Sequence, residues 1–153
     1  MTTYLVRHAK AGSRKAWSGP DELRPLSKAG RTQARALAKW FAENDVTRIV
    51  SSSFVRCRET VEPLAHRFGL EVELASALGE GAPLADSLRL VEKLIDENAV
   101  LCTHGDVLGN LLTYYSQSGV ELGDDRMEKG SLWVIEYVDG EPRDARYVRS
   151  PGT

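Results

Sequence analysis

Short apolar runs alternate with segments of helical periodicity along most of this chain. The runs lie at residues 4–6, 48–51, 72–74 and 100–103, and each predicts a short, largely buried strand. Between and after these runs, apolar residues recur every three or four positions, which predicts four helices. This alternation predicts an α/β fold: a three-layer α/β/α sandwich around a mostly parallel central sheet.

The C-terminal part of the chain departs from this alternation. Residues 132–135 and 145–148 are rich in residues that favour strands, and they flank Asp139-Gly140, a dipeptide that favours a tight hairpin turn. We therefore expect an antiparallel pair of strands at this edge of the sheet. Since no repeat, low-complexity tract or long linker interrupts the sequence, residues 1–153 are predicted to form a single domain.

The second helical pattern contains a proline and ends at a glycine. Pro63 lacks a backbone N–H group, so we expect it to bend this helix or to move its effective start. Gly69 supplies a stop signal after Phe68.

The charge balance argues against several classes of partner. The chain has 20 basic and 22 acidic residues and a net charge of -2, so it has no basic footprint for nucleic acid or anionic membranes. The N-terminal apolar run is too short for a signal peptide, and no stretch approaches about 20 apolar residues. We therefore expect a cytoplasmic protein that holds any anionic ligand with local groups.

Charged and titratable side chains follow the predicted strands directly. Arg7 and His8 follow the first run, Arg56 lies just past the second, and His104 follows the fourth. A lone histidine is more often structural than catalytic, but the carboxyl ends of parallel strands meet at one edge of a sheet. We therefore expect these four side chains to converge. Arg58 competes with Arg56, but the two differ by about 200° around a helix, and Arg56 is preferred.

This combination of residue types suits phosphoryl transfer. Imidazole, with an ordinary pKa of about 6.5, is a competent nucleophile toward phosphorus, and water can hydrolyse the resulting phosphohistidine. Guanidinium groups offer paired donors to phosphoryl oxygens and stay charged throughout the reaction. A protonated His104 would add further positive charge to such a pocket.

The remaining histidine and the two cysteines do not indicate a metal site. Cys57 and Cys102 lie in apolar patterns and are interpreted as buried thiols without a chemical role. His66 lies on a predicted helix and is interpreted as a solvated surface residue. Because the spacing typical of zinc ligands is absent from the sequence, we expect no metal and no cofactor.

Four ordered segments resemble the histidine phosphatase superfamily, also called phosphoglycerate mutase-like. Residues 5–9 resemble its N-terminal Arg-His-Gly signature, with Ala9 in place of glycine, as in the small phosphohistidine phosphatase branch. Residues 24–34 resemble the segment leading into the first helix, and residues 51–60 the Ser-x-x-x-Arg-Ala-x-x-Thr element. Residues 103–105 resemble the second histidine segment. The resemblance implies that His8 is the phosphorylated nucleophile, that no metal is needed, and that the phosphate pocket is formed by Arg7, Arg56 and His104.

The proton donor for the leaving group is left open by the sequence. Ester hydrolysis usually needs a general acid, and the family often uses a glutamate after its third strand. Glu80 lies in the corresponding glycine-flanked loop. Asp106 is an alternative, although it would also complement the dipole of the helix that follows His104. A third possibility is that no acid exists, which suits a phosphohistidine substrate because its nitrogen can leave as a protonated group.

The leading interpretation is a phosphatase that acts on a phosphohistidine protein or a small phosphate ester. The stretch between Arg56 and His104 leaves little room for an insertion that would roof the site, so we expect an open pocket. The loop of residues 12–21, with Arg14, Lys15 and Trp17, is the predicted substrate contact outside the phosphate pocket. The alternatives are phosphoglycerate mutase-type phosphoryl transfer and a non-catalytic phosphoryl-binding regulatory module.

Overall fold

The computed structural model of the protein describes residues 1–152, which form six strands and four α-helices. The strands are β1 (Thr2–Arg7), β2 (Arg48–Ser51), β3 (Val72–Leu74), β4 (Ala99–Thr103), β5 (Leu132–Val138) and β6 (Glu141–Val148). The helices are α1 (Lys28–Trp40), α2 (Val55–Phe68), α3 (Leu84–Lys93) and α4 (Gly105–Gln117). Short 3-10 helices span Asp21–Leu23, Phe41–Glu43 and Ser76–Leu78.

A single sheet of strand order β3-β2-β4-β1-β5-β6 runs through the protein. The first four strands in this order are parallel, whereas β5 is antiparallel to β1 and β6 is antiparallel to β5. The predicted mixed α/β fold with an antiparallel C-terminal edge is therefore confirmed. The turn between β5 and β6 contains Asp139 and Gly140 with φ values of 53° and 78°, the left-handed conformation that such hairpin turns require.

The side chains of the strands pack alternately on the two faces of the sheet. Leu5 and Leu101 join an apolar cluster with residues of α3 and α4, while Val6 and Val100 join a second cluster with residues of α1 and α2. Each face is thus covered by a pair of helices, which gives the three predicted layers. Within residues 1–152, no helix has both the length and the apolar character needed to cross a membrane.

The boundaries of two helices differ from the sequence-based expectation. Helix α2 begins at Val55 and continues through Pro63 to Phe68, so the prediction that the proline moves the start of the helix is wrong. The first turns of α2 carry buried side chains that are bonded to neighbouring segments, and these contacts outweigh the one lost backbone hydrogen bond. Helix α3 ends at Lys93, although the helical spacing of apolar residues in the sequence continues through Leu94 and Ile95 and predicts a longer helix.

The loop that follows β1 is held against the beginning of α1. Ser27 caps this helix through its side chain, and its backbone N–H donates to the carbonyl of Lys10 at 2.9 Å. The Gln33 side chain accepts a hydrogen bond from the Lys10 N–H at 2.9 Å. A Cβ atom at Gly30 would lie 1.9 Å from the Lys10 carbonyl oxygen, so only glycine permits this close approach.

We predict that Gly30→Ala destabilises the protein by about 1–3 kcal/mol, because the added methyl group collides with a backbone carbonyl that has little room to move. This value is the net effect, which remains after the gain of about 1 kcal/mol that alanine brings inside a helix. Denaturant unfolding measures both effects together. The matched control is Gly12→Ala, which meets no atom within 4 Å and is expected to change stability by less than about 0.5 kcal/mol. Equal stability of the two variants would contradict the close approach.

Candidate active site

His8 and His104 meet at the carboxyl edge of the parallel strands. Arg7 at the end of β1 lies beside Thr103 at the end of β4, and the backbone N–H of His8 donates to the Thr103 carbonyl at 3.0 Å. This register brings the two imidazole rings to a centroid separation of 5.4 Å. Both rings are buried, and they form the floor of an open cleft.

The backbone next to His8 fixes the tautomer of its ring. The Nδ1 atom lies 2.8 Å from the carbonyl oxygen of Ala9, and a carbonyl can only accept a hydrogen bond. Nδ1 therefore carries the proton of the neutral ring, and Nε2 retains its lone pair. Burial lowers the pKa of His8 to about 3, and the positive charges of Arg56 and Arg7 act in the same direction. The neutral, nucleophilic form of this imidazole is therefore favoured.

The guanidinium group of Arg7 packs against the beginning of α4. Its Nη1 donates to the carbonyl of Met127 at 2.7 Å, and a Cβ atom at Gly105 would lie 3.1 Å from its guanidinium carbon. Glycine at position 105 thus makes room for the flat guanidinium group. Burial lowers the pKa of Arg7, while the nearby carboxylate of Asp106 opposes this effect. The Nε atom is buried and has no hydrogen-bond partner within residues 1–152.

Arg56 extends from the first turn of α2 and is completely buried. Its Nη1 donates to the backbone carbonyl of Asp21 at 2.9 Å, and its Nη2 lies 3.1 Å from the Asp21 carboxylate. The same Nη2 lies 3.5 Å from the carboxylate of Glu80. Arg58 remains partly exposed. The involvement of Asp21 was missed by the sequence analysis, which treated its loop only as a candidate substrate contact.

His104 is anchored by one of its ring nitrogens. Its Nε2 lies 2.9 Å from the hydroxyl of Ser52 and 3.5 Å from the sulfur of Cys57. The Ser52 hydroxyl oxygen also accepts the backbone N–H of Phe54, so Ser52 is itself fixed in position beside Nε2. The Nδ1 atom is buried and finds no protein partner in the described part of the chain. It is therefore the ring atom left to contact a ligand.

The two cysteines are buried and free, as expected. Burial raises the pKa of Cys102, whereas hydrogen bonds to Cys102 and His104 lower the pKa of Cys57 despite its burial. Cys57 therefore contacts the Nε2 side of His104, the side that Ser52 also holds. The apolar sequence pattern around Cys57 did not indicate this contact. His66 is exposed on α2, as predicted.

Glu80 and Asp106 both line the cleft, but their contacts differ. The Glu80 carboxylate lies 3.4 Å from Arg14 and 3.5 Å from Arg56, with its side chain 39% exposed. The Asp106 carboxylate accepts the backbone N–H of Gly81 at 2.8 Å. Asp106 thus holds the loop that carries Glu80, in addition to lying in the first turn of α4.

The cleft has a volume of about 540 Å³ and contains three cationic residues that were not assigned to the phosphate pocket. Its lining consists of Arg7, His8, Arg14, Arg24, Glu80, His104, Gly105, Asp106, Met127 and Lys129. Of the predicted substrate-contact loop, only Arg14 lines this cleft, while Lys15 and Trp17 are exposed outside it. No cluster of three potential metal-ligating side chains occurs among residues 1–152.

A second layer of contacts ties this site together. The Thr60 hydroxyl accepts the backbone N–H of Ala9 at 2.9 Å and donates to the carbonyl of Arg56 at 2.7 Å. The methyl group of Ala9 is fully buried against Leu26 and Ala34, which accounts for alanine at this position. The segments that carry His8 and Arg56 are therefore joined directly through one hydroxyl group.

Comparison with known proteins identifies the family of this chain. A family model for the histidine phosphatase superfamily (branch 1) matches residues 3–82, just over half of the chain. The protein therefore belongs to the histidine phosphatase superfamily. A curated relative, the 8-oxo-(d)GTP phosphatase of Mycolicibacterium smegmatis, is 34% identical over 156 residues that cover 98% of this chain and 48% of the relative. The chain thus spans about half the length of this relative.

Two solved structures share the fold. The protein histidine phosphatase SixA, complexed with tungstate, aligns with a TM-score of 0.77 and 18% identity over 99% of this chain and 97% of its own. A mycobacterial glucosyl-3-phosphoglycerate phosphatase complexed with VO3 aligns with a TM-score of 0.74 and 21% identity, covering 95% and 96% of the two chains. At these identities, the likeness establishes a common fold.

The low pKa of His8 predicts a specific loss of stability in acid. Because the native ring protonates near pH 3 and the unfolded ring near 6.5, the unfolded state binds more protons between these values. The free energy of unfolding should therefore fall as the pH drops from 6.5 toward 3, by up to about 1.4 kcal/mol per pH unit from this residue.

Denaturant unfolding of the wild type and of His8→Asn in phosphate-free buffer measures this contribution. The variant should lose less stability between pH 6 and pH 4 than the wild type. His66→Asn, which replaces an exposed histidine, should follow the wild type. Parallel pH profiles for the wild type and His8→Asn would contradict the assignment.

Proposed function

We propose that this protein is a metal-independent phosphatase that acts through a phosphohistidine intermediate on His8. The observation that carries the proposal is the single free lone pair on His8 Nε2, next to guanidinium donors at the floor of the cleft. A neutral imidazole, a cationic pocket and nearby carboxylates are the groups that phosphoryl transfer from an ester to water requires. We further propose that residues 1–153 act as one catalytic domain.

In the first step, Nε2 of His8 attacks the phosphorus atom. The N–P bond forms as the bond between phosphorus and the leaving group breaks, and the leaving group takes a proton from the general acid. Arg7, Arg56 and Nδ1 of His104 donate hydrogen bonds to the phosphoryl oxygens, whose charge they stabilise in the transition state. The buried Nε groups of both arginines, unpartnered within residues 1–152, are among the donors available for this task.

In the second step, water attacks the phosphohistidine. The new P–O bond forms while the N–P bond breaks, and the carboxylate that donated a proton in the first step now accepts one from the water. Inorganic phosphate leaves, and His8 returns to its neutral form. The hydrogen bond to Ala9 supports both steps, because it stabilises the positive charge that the ring acquires when Nε2 is bonded to phosphorus.

Glu80 is the proposed general acid for ester substrates. It lines the cleft with both histidines, and its carboxylate is partly exposed, so it can exchange protons with water. Asp106 is assigned a positioning role, because its carboxylate is used to hold the backbone of the Glu80 loop.

The proposed substrates are a phosphohistidine protein or a small phosphate ester. The relatives named above are a phosphatase of a modified nucleotide, a protein histidine phosphatase and a phosphatase of a sugar-linked phosphoglycerate. All three names imply a phosphorylated substrate. The cleft of this protein is open, which suits access by either a small molecule or a side chain on another protein.

We predict that His8→Ala abolishes turnover of an aryl phosphate, since no other group replaces its Nε2 as nucleophile. Acid-sensitive phosphate should appear on His8 when the wild type is quenched during turnover and mapped by mass spectrometry. His66→Ala is the matched control, because His66 is exposed on α2, and it should retain full activity. Label on any other residue, or near-normal turnover by His8→Ala, would rule out the proposed intermediate.

A second prediction tests the role of Glu80 through the basicity of the leaving group. A general acid contributes about 100-fold or more when the departing oxygen is strongly basic and little when it is already stable as an anion. Glu80→Gln should therefore slow hydrolysis of an alkyl phosphate about 100-fold, and that of nitrophenyl phosphate by much less. Steady-state kcat/KM for the two substrates measures this difference.

Asp106→Asn distinguishes the two carboxylates. As a positioning residue, Asp106 should affect both substrates by a similar factor when it is replaced. A loss selective for the alkyl phosphate in Asp106→Asn, with none in Glu80→Gln, would move the acid role to Asp106.

A further inference from the structure

Lys129 is held beside the proposed nucleophile by the backbone around it. The N–H of Gly130 donates to the carbonyls of Arg7 and His8, at 3.2 and 3.1 Å. The carbonyl of Lys129 itself accepts a hydrogen bond from the Gln33 side chain at 3.1 Å. With its backbone fixed on both sides, the Lys129 side chain forms part of the cleft wall.

The charge of Lys129 is not balanced by the protein. Within residues 1–152, no carboxylate lies within ion-pair distance of its ammonium group. Partial desolvation against the cleft wall and the positive charges of the surrounding arginines, Arg7 first among them, lower the pKa of Lys129, although its side chain remains exposed. A cation that is repelled by its neighbours and has no partner of its own gains most from an anionic ligand.

The cations in and around the cleft fall into a deep set and an outer set. Arg56 is fully buried, and Arg24 is almost so, with its donors committed to Asp21 and the carbonyl of Gly12. Arg14 and Lys129, in contrast, are exposed side chains on the rim of the same cleft. Arg7, Arg56 and His104 are already assigned to the transferred phosphoryl group. Lys129 has no other role in the site, and Arg14, which pairs with Asp21 and Glu80, lies on the same rim and can also face another group of the substrate.

We propose that Lys129 and Arg14 form a second anion subsite, which binds a second phosphoryl group adjacent to the one transferred to His8. This inference rests on the proposed phosphatase function and narrows its substrate class to small molecules with a diphosphate. In a phosphohistidine the transferred phosphoryl group is bonded to an uncharged imidazole ring, and in a simple phosphate ester it is bonded through one oxygen to carbon. Neither would neutralise Lys129, whereas the oxygens of a second phosphoryl group can accept from both cations at once.

Direct binding tests the subsite without turnover. Calorimetry with inorganic phosphate and with methylenediphosphonate, a diphosphate analogue whose bridge cannot be hydrolysed, gives the preference of the protein for two phosphoryl groups over one. The wild type should prefer the diphosphonate by about tenfold or more, since added charge-assisted hydrogen bonds are worth at least that factor.

Variants at Lys129 then locate this preference. Lys129→Gln should reduce the preference about tenfold, whereas Lys129→Arg, which keeps the charge, should largely retain it. Lys93→Gln, at an exposed lysine in the last turn of α3, should leave the preference unchanged. Arg14→Gln should also reduce the preference, although Arg14 additionally pairs with Asp21 and Glu80.

Equal binding of the two probes by the wild type, or an unchanged preference in Lys129→Gln, would overturn the subsite. A loss of affinity for a phosphohistidine protein in Lys129→Gln, without a change in the preference, would assign Lys129 to a protein surface instead. A normal diphosphonate preference without any phosphate on His8 in the quench experiment would retain the subsite and refute the proposed function.

Discussion

The hydrogen bond from His8 Nδ1 to the Ala9 carbonyl is the contact on which the candidate chemistry depends. It fixes the ring by one nitrogen and leaves the other as the only lone pair of the neutral imidazole. A carbonyl can play this role only if its backbone is rigid. Here the N–H of Ala9 is held by Thr60, and the next residue, Lys10, is held by Ser27 and Gln33.

Arg56 can be buried beside the ring of His8 because neighbouring loops pair its charge. Arg56 is completely buried, which is costly for a charge unless it is paired. Asp21 provides a carbonyl and a carboxylate, and Glu80 adds a second carboxylate from another loop. Because Thr60 joins the segments of Arg56 and Ala9, His8 and Arg56 are positioned as one unit.

Sequence reasoning captured the parts of this site that follow directly from the strands. His8 and His104 are adjacent because β1 and β4 are parallel neighbours, and a residue that leaves each strand must lie at the shared edge. Arg56 lies in the first turn of α2, shortly after the end of β2, and reaches the same edge. The alternation of strands and helices in the sequence was therefore enough to predict the fold and to place His8, His104 and Arg56 at one edge of the sheet.

Asp21, Arg24 and Lys129 were missed because their positions depend on long-range packing. The loop of residues 12–21 has no periodicity, and nothing in it indicates that Asp21 turns back to Arg56. Lys129 precedes β5, and its place beside His8 follows only from the antiparallel pairing of β5 with β1. The hairpin was predicted, but the strand that it would join was not.

The residues proposed for phosphoryl transfer lie at or near the ends of strands, whereas the residues proposed to select the substrate lie in loops. The groups that would bind the transferred phosphoryl are largely buried, and each is held by hydrogen bonds to neighbouring segments, so a change in one of them disturbs the packing around the site. Lys129 and Arg14 instead lie on the rim, where substitution alters charge without disturbing the apolar core. A site of this construction can acquire a new substrate by exchanging rim residues, while the buried set continues to perform the same phosphoryl transfer.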